Sequence, residues 1–100
     1  MEIKQTETFR IWEAQLRDRR VRTIIAARLM RLREGLIGDA PSVGEGVRVL
    51  RIHYGPGYRI YFQQRGYTFI VLQCGGDKAS QKRDVEIAKK LAANWEQTDD

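Results

Sequence analysis

Cysteine, histidine and proline are scarce in this chain of 100 residues, which has one cysteine, one histidine and two prolines. The single cysteine, Cys74, forms no internal disulfide, which agrees with a reducing compartment, and its place at the end of an apolar run predicts a buried thiol. No apolar run approaches the roughly 20 residues that span a bilayer, and the N-terminus shows no basic-then-apolar signal pattern. We therefore expect a cytoplasmic protein in which residues 1–100 form one domain.

Acidic residues are almost absent between Val47 and Arg83. This stretch holds seven basic residues and one acid, Asp77, whereas the remainder of the chain carries a net charge of −1. A basic surface concentrated in this way suggests a polyanion or an acidic protein as the partner. The paired carboxylates and His/Cys clusters of metal-dependent nucleases are missing from the stretch, so we expect no metal site and no cofactor.

The hydrophobic spacing predicts an α+β domain of order β-α-α-β-β-β-α, with an antiparallel sheet on which an N-terminal helical hairpin and a C-terminal helix pack. Residues 1–5 are expected to form the first strand. Thr6 and Asp18 are expected to cap the two helices of the hairpin, and Gly35 is expected to end the second. Arginines lie between the apolar positions of this hairpin, and they form either a solvated surface or a binding surface.

Glycine-rich turns predict a meander of three antiparallel strands after a loop at residues 35–46. The expected strands are Val47–Tyr54, Tyr58–Gln64 and Tyr67–Cys74. Gly75 and Gly76 are expected to end the third strand, and Asp77 or Ser80 to cap the last helix. The polar tail from residue 97 to residue 100 is expected to fray.

The polar residues of the first two meander strands are expected to share the face opposite the core, because side chains alternate along a strand. The expected members are Arg51, His53, Arg59, Tyr61 and Gln63, with Lys78 and Gln81 at the rim. Arginine can hold phosphate oxygens and stabilise a doubly charged transition state, tyrosine can stack on a base, and histidine can move a proton near neutral pH. RNA supplies its own 2′-hydroxyl nucleophile, so a metal-free site of this kind suits RNA rather than DNA.

Each candidate also has a structural interpretation. Arg59 can pair with a carboxylate of the C-terminal helix, His53 can be structural, and Tyr61 can pack in the core. The residue types alone leave these alternatives open.

Two segments resemble the signatures of HigB-like killer proteins in the RelE/ParE toxin superfamily. They are Leu50–Phe62, with the sequence LRIHYGPGYRIYF, and Leu72–Gln81, with the sequence LQCGGDKASQ, followed by Asp84 and Ala88. The resemblance implies a toxin that is paired with a cognate antitoxin. It also implies cleavage of mRNA on the ribosome, as in the RelE and HigB branches, or inhibition of DNA gyrase, as in the ParE branch.

The resemblance also implies roles for particular residues. Arg59 matches the arginine that follows the Gly-Tyr pair in RelE-type nucleases, Arg51 and His53 correspond to basic residues of the preceding strand, and Lys78 corresponds to one after the third strand. The tyrosine that some members carry near the last helix is absent, and Gln81, Lys82 and Arg83 occupy that stretch as expected RNA contacts. The leading hypothesis is a ribosome-dependent endonuclease, and the alternatives are a gyrase inhibitor and a non-catalytic basic binding module.

Overall fold

The computed structural model describes residues 1–95, which form a five-stranded sheet with three helices. The elements are β1 (Glu2–Gln5), α1 (Glu7–Ala14), α2 (Arg19–Arg33), β2 (Ser42–Gly44), β3 (Val47–Ile52), β4 (Tyr58–Arg65), β5 (Phe69–Asp77) and α3 (Gln81–Asn94). The α+β class is confirmed, although the element order contains one strand more than expected. The tail expected to fray at residues 97–100 lies outside the described residues.

Local side-chain chemistry sets the ends of the first two helices. The Thr6 hydroxyl accepts a hydrogen bond from the Phe9 amide at 3.0 Å, so it caps α1. The Asp18 carboxylate accepts one from the Arg20 amide at 2.8 Å and caps α2 in the same way. Gly35 follows α2 with a φ of 82°, a left-handed conformation that glycine adopts without steric cost. These three predicted helix boundaries are confirmed.

The sheet is mixed, with the strand order β1-β5-β4-β3-β2. The prediction of a purely antiparallel sheet is wrong because β1 runs parallel to β5, with Gln5 opposite Leu72. This direction lets the chain leave β1 near the carboxyl end of β5, where α1 packs and where Gly75 leaves room for the Trp12 ring. The additional strand, β2, pairs with the edge of β3 inside the predicted loop.

Both faces of the sheet are covered, and a separate core lies on each face. One core joins residues of α1 and α2, such as Phe9 and Ile25, to Ile60 of β4. The other places Ala88 and Ala92 of α3 in a cluster with four buried strand residues, namely Val47, Val49, Tyr61 and Cys74. Cys74 is 3% exposed, so the prediction of a buried thiol is confirmed.

The glycine pair at positions 75 and 76 continues β5 rather than ending it. These glycines pair with Ile60 and Arg59 of β4, and the strand ends only at Asp77. A Cβ atom on Gly75 would overlap the Trp12 ring, and one on Gly76 would overlap the Asp84 carboxylate. Glycine is therefore required here by close packing on the two faces of the strand. Among the described residues, no helix is both long and apolar enough to cross a bilayer.

Candidate functional site

The candidate site lies where β3 ends and β4 begins. Arg51 and Arg59 stand directly opposite each other in the β3–β4 ladder, so their side chains leave the same face with Cβ atoms about 5 Å apart. Like charges in opposite positions repel each other, and an anion bound between them would relieve that cost. The predicted pairing of these two arginines on one face is confirmed.

Arg59 is held in place by two hydrogen bonds. Its Nε donates to Oε1 of Gln81 at 2.9 Å, and its Nη1 donates to the carbonyl of Gly57 at 3.1 Å. A guanidinium has five N–H groups, so most of its donors remain. Nη2 makes no hydrogen bond with a described residue and is not among the fully buried unpartnered atoms, so it keeps some contact with solvent.

The charge of Arg59 has no direct counterion. Arg59 lies on the expected face of the sheet, but α3 covers that face, so the side chain is only 9% exposed beneath the first turn of α3. Its partner on α3 is the neutral amide of Gln81 rather than the carboxylate considered from the sequence. No salt bridge to Arg59 occurs among residues 1–95. The site therefore presents a rigid guanidinium that makes no salt bridge with a described residue, although the Asp84 carboxylate lies over Gly76, the strand partner of Arg59.

Lys78 approaches the same point from the loop between β5 and α3. A Cβ atom on Gly57 would lie 3.3 Å from Nη1 of Arg59 and 3.4 Å from Cβ of Lys78. Gly57 has a φ of 81°, so this turn both needs a glycine and brings the two basic residues close to it. The structure thus groups Arg51, Arg59, Lys78 and Gln81, four residues from four separate segments.

Arg51 is less constrained than Arg59. Its Nη2 contacts Oδ2 of Asp39 at 3.0 Å, and 37% of its side chain is exposed. Its backbone carbonyl accepts a hydrogen bond from Nη1 of Arg28 in α2 at 3.3 Å. Because the Asp39 carboxylate is itself well exposed, this ion pair is weak, and a phosphate can compete for Arg51.

His53 lies just after β3, two residues beyond Arg51. It occupies the centre of a three-residue turn in which the Tyr54 amide donates to the Ile52 carbonyl at 2.9 Å, and it is exposed. His53 supplies the only imidazole in the sequence. No group of three or more His, Cys, Asp or Glu side chains suited to a metal ion occurs within residues 1–95.

Tyr61 does not contribute an accessible ring. It lies on the predicted face, but α3 covers that face, and the side chain is fully buried. Burial, followed by the nearby Asp84 charge, raises the pKa of Tyr61 to about 12. The expectation that Tyr61 stacks on a base is therefore wrong, because strand alternation gives the face of a residue and not what covers it.

The other predicted RNA contacts lie apart from the cluster. Gln63 is four residues beyond Arg59 along β4, about 13 Å away at the usual rise per residue, and its Oε1 accepts a hydrogen bond from Nε of Arg65. Lys82 and Arg83 are exposed on the first turn of α3 and line a shallow cavity with Ser80. They adjoin Gln81 in sequence, but Asp77 and Glu86 line the same cavity and Arg83 contacts the Asp84 carboxylate at 3.7 Å, so the surface here carries both charges.

Sequence reasoning assigned no function to Asp84, which positions the first turn of α3. It is 5% exposed, and its Oδ2 accepts a hydrogen bond from the Ser80 hydroxyl at 2.5 Å. Ser80 precedes Gln81, so this contact fixes the turn that orients the partner of Arg59. The sequence feature that could have identified Asp84 is the position of a carboxylate on the apolar stripe of α3, one turn before Ala88.

The chain has a relative among known proteins that is similar over nearly its whole length. No protein-family model matches the chain. It is similar to an uncharacterized protein of Haemophilus influenzae, with 42% identity over 92 residues, which cover 92% of this chain and 93% of the relative. Since this identity extends over nearly the full length of both proteins, the chain belongs to the same protein family as the Haemophilus influenzae protein.

Proposed function

We propose that the chain is the toxin of a type II toxin–antitoxin system and that it acts as a ribosome-dependent mRNA endonuclease. The resemblance of Leu50–Phe62 and Leu72–Gln81 to HigB-like proteins of the RelE/ParE superfamily points to this class. The observation that carries the proposal is the geometry of Arg59, which is fixed on one side by Gln81 and Gly57 and has no hydrogen-bond partner at Nη2 among the described residues. A rigid guanidinium without a counterion is suited to a phosphodiester.

The proposed reaction uses the RNA as its own nucleophile. The 2′-oxygen attacks the adjacent phosphorus, the bond to the 5′-oxygen breaks, and the products carry a cyclic phosphate and a free 5′-hydroxyl. Negative charge grows on the phosphate oxygens during attack, and Nη2 of Arg59 together with Arg51 would bind that charge. His53 or Lys78 would take the proton from the 2′-hydroxyl or deliver one to the leaving oxygen.

The ribosome enters the proposal because proton-transfer groups are few in this cluster. Tyr61 is buried and neutral, and the cluster itself contains cations and an amide rather than a carboxylate. A site of this kind gains much of its rate from orientation of the 2′-hydroxyl in line with the phosphate. A message held by the ribosome supplies that orientation, whereas free RNA samples many conformations. The proposed partners are therefore mRNA, the ribosome and a cognate antitoxin that silences the site.

Gln81→Glu is the variant that tests the proposal most cleanly. Glutamate has nearly the same shape as glutamine, so the hydrogen bond to Nε of Arg59 remains and gains the strength of an ion pair. The fold should be at least as stable, but the carboxylate would offset the positive charge that Arg59 presents to a phosphate. Transition-state stabilisation should then fall by about 3 kcal/mol, which is roughly a hundredfold in rate.

The measurement compares growth arrest after induction at equal soluble expression, with thermal unfolding of each purified variant. Gln15→Glu makes the same change at an exposed position after α1 and is the matched control. We expect Gln15→Glu to arrest growth like the wild type and Gln81→Glu to be tolerated. Full toxicity of a folded Gln81→Glu variant would contradict a role for the unpaired guanidinium of Arg59.

A further inference from the structure

The outward face of α2 is the most strongly charged surface that the proposed function leaves unused. The helix contains six arginines, no lysine and no acidic residue. Its inward side is apolar, with Val21, Ile25 and Leu32 buried against the sheet. A helix with this concentration of one charge is destabilised by self-repulsion unless a partner supplies the opposite charge.

An uncharged stripe runs along the middle of this face. Its members recur at the spacing i, i+3, i+4, i+7 and are exposed: Thr23, Ala26, Ala27 and Met30. Met30 has 64% of its surface exposed. Residues at this spacing lie above one another on one side of a helix. We call these four positions the α2 crest.

Arginines flank the α2 crest on both sides. At 100° per residue, Arg20 and Arg31 lie along one side of the crest, and Arg22 and Arg33 lie along the other. All four are exposed. The side chains of Arg31 and Arg33 make no hydrogen bond or ion pair with other described residues, whereas Arg22 donates through Nη1 to the Leu16 carbonyl at 2.9 Å. The α2 crest therefore lies between two rows of guanidinium groups.

The charge pattern selects among the possible occupants of this surface. A second copy of the chain would set arginine rows against arginine rows, which repel. A nucleic-acid backbone would satisfy the arginines but would leave the Met30 side chain and the two alanines without an apolar contact. An amphipathic helix with acidic residues beside its apolar stripe satisfies both parts, since the small crest residues allow close approach and the flanking carboxylates reach the guanidinium groups.

We propose that the α2 crest and its flanking arginines are a docking site for an acidic amphipathic helix of a partner protein. This proposal goes beyond the nuclease function and holds whether or not the chain cleaves RNA, because α2 supplies no residue of the Arg59 cluster except the Arg28 contact to the Arg51 backbone. Arginine rather than lysine suits the site, since its planar fork binds carboxylates with two parallel hydrogen bonds.

The test uses a synthetic helical peptide of about three heptads that carries leucine along one stripe and glutamate on both sides of it. A fluorescent label reports binding to the full chain by anisotropy. The control peptide has the same composition in an order that abolishes the stripe. We expect the amphipathic peptide to bind and the control peptide to bind far more weakly; equal binding of the two would overturn the proposal.

Charge variants then examine the arginine rows. Arg31→Glu and Arg33→Glu should each weaken peptide binding by about fivefold, and a peptide with arginine in place of the facing glutamates should restore binding to these variants. Lys90→Glu removes an exposed cation from α3 and is the matched control, with affinity close to that of the wild type. Equal losses of peptide affinity for Lys90→Glu and the α2 variants would show that binding depends on net charge alone, which would overturn the proposal.

Ala27→Arg separates a protein partner from RNA. The substitution adds a cation in the middle of the α2 crest, so it should block helix docking and weaken peptide binding while circular dichroism shows an intact fold. An RNA site would instead bind more tightly with one more cation. Stronger binding of the peptide would overturn the proposal, and stronger binding of a duplex RNA that competes with the peptide would overturn it in favour of RNA. Peptide binding by Gln81→Glu should equal that of the wild type, so failure of the nuclease proposal is distinguishable from failure of this one.

Discussion

Removal of the Tyr61 hydroxyl should stabilise the protein. This oxygen is fully buried and has no hydrogen-bond partner among the described residues. A buried hydroxyl without a partner costs roughly 1–3 kcal/mol. Tyr61→Phe recovers that cost and leaves a void about the size of a methyl group, which costs about 1 kcal/mol. The net expectation is a gain of about 1 kcal/mol, or a rise in melting temperature of about 4–8 °C for a domain of this length.

The assay is urea and thermal unfolding followed by circular dichroism. Tyr67 is 95% exposed, so Tyr67→Phe is the matched control and should unfold like the wild type. Tyr61→Phe should also remain as toxic as the wild type on induction, because a phenol with a pKa of about 12 in the core transfers no proton to RNA. A Tyr61→Phe variant that is less stable than the wild type would refute the reasoning, because it would mean that the hydroxyl makes a stabilising hydrogen bond.

Three further predictions concern stability. Burial raises the pKa of the Cys74 thiol to about 12, so we expect Cys74 not to react with a disulfide reagent until the protein unfolds. The free energy of unfolding should also fall as the pH rises above 9.0, the ordinary pKa of a thiol, because only the unfolded chain then ionises. Rapid labelling of the folded protein would contradict this prediction. Gly75→Ala should destabilise the fold by about 1–3 kcal/mol in urea because the methyl group displaces the Trp12 ring, and an unchanged midpoint would exclude this contact. Asp18→Ala should lower the urea midpoint through loss of the α2 cap. The hydrogen bond from the Tyr54 hydroxyl lowers the pKa of Asp18. The stability difference between the wild type and Asp18→Asn should therefore shrink as the pH falls below 3.8, the ordinary pKa of the carboxyl. A stability difference that persists in acid would count against the Tyr54 contact.

Features determined by neighbouring residues were predictable from the sequence. Thr6 and Asp18 cap their helices because a side-chain oxygen close to a free amide needs no distant partner. The glycine turns set the β3–β4 and β4–β5 reversals, so the opposition of Arg51 and Arg59 followed from strand alternation.

Features determined by distant contacts were not predictable in this way. The parallel direction of β1 depends on where β5 and α1 meet in the fold. Gly75 has the local propensity of a strand end but continues β5, because Trp12 packs on it. Tyr61 was assigned to the correct face, yet the strand pattern contains no information about the helix that covers it.

The measurement that tests the central claim most directly maps the 5′ ends of a reporter mRNA in a translation extract, with and without ribosomes. We expect strong cleavage of translated message by the wild type, weak cleavage of naked RNA, and roughly a hundredfold slower cleavage by Gln81→Glu. DNA supercoiling by gyrase is followed in parallel. An intact message together with inhibited gyrase would contradict the proposed function and favour the ParE-like alternative, and equal cleavage of naked and ribosome-bound RNA would contradict the orientation argument.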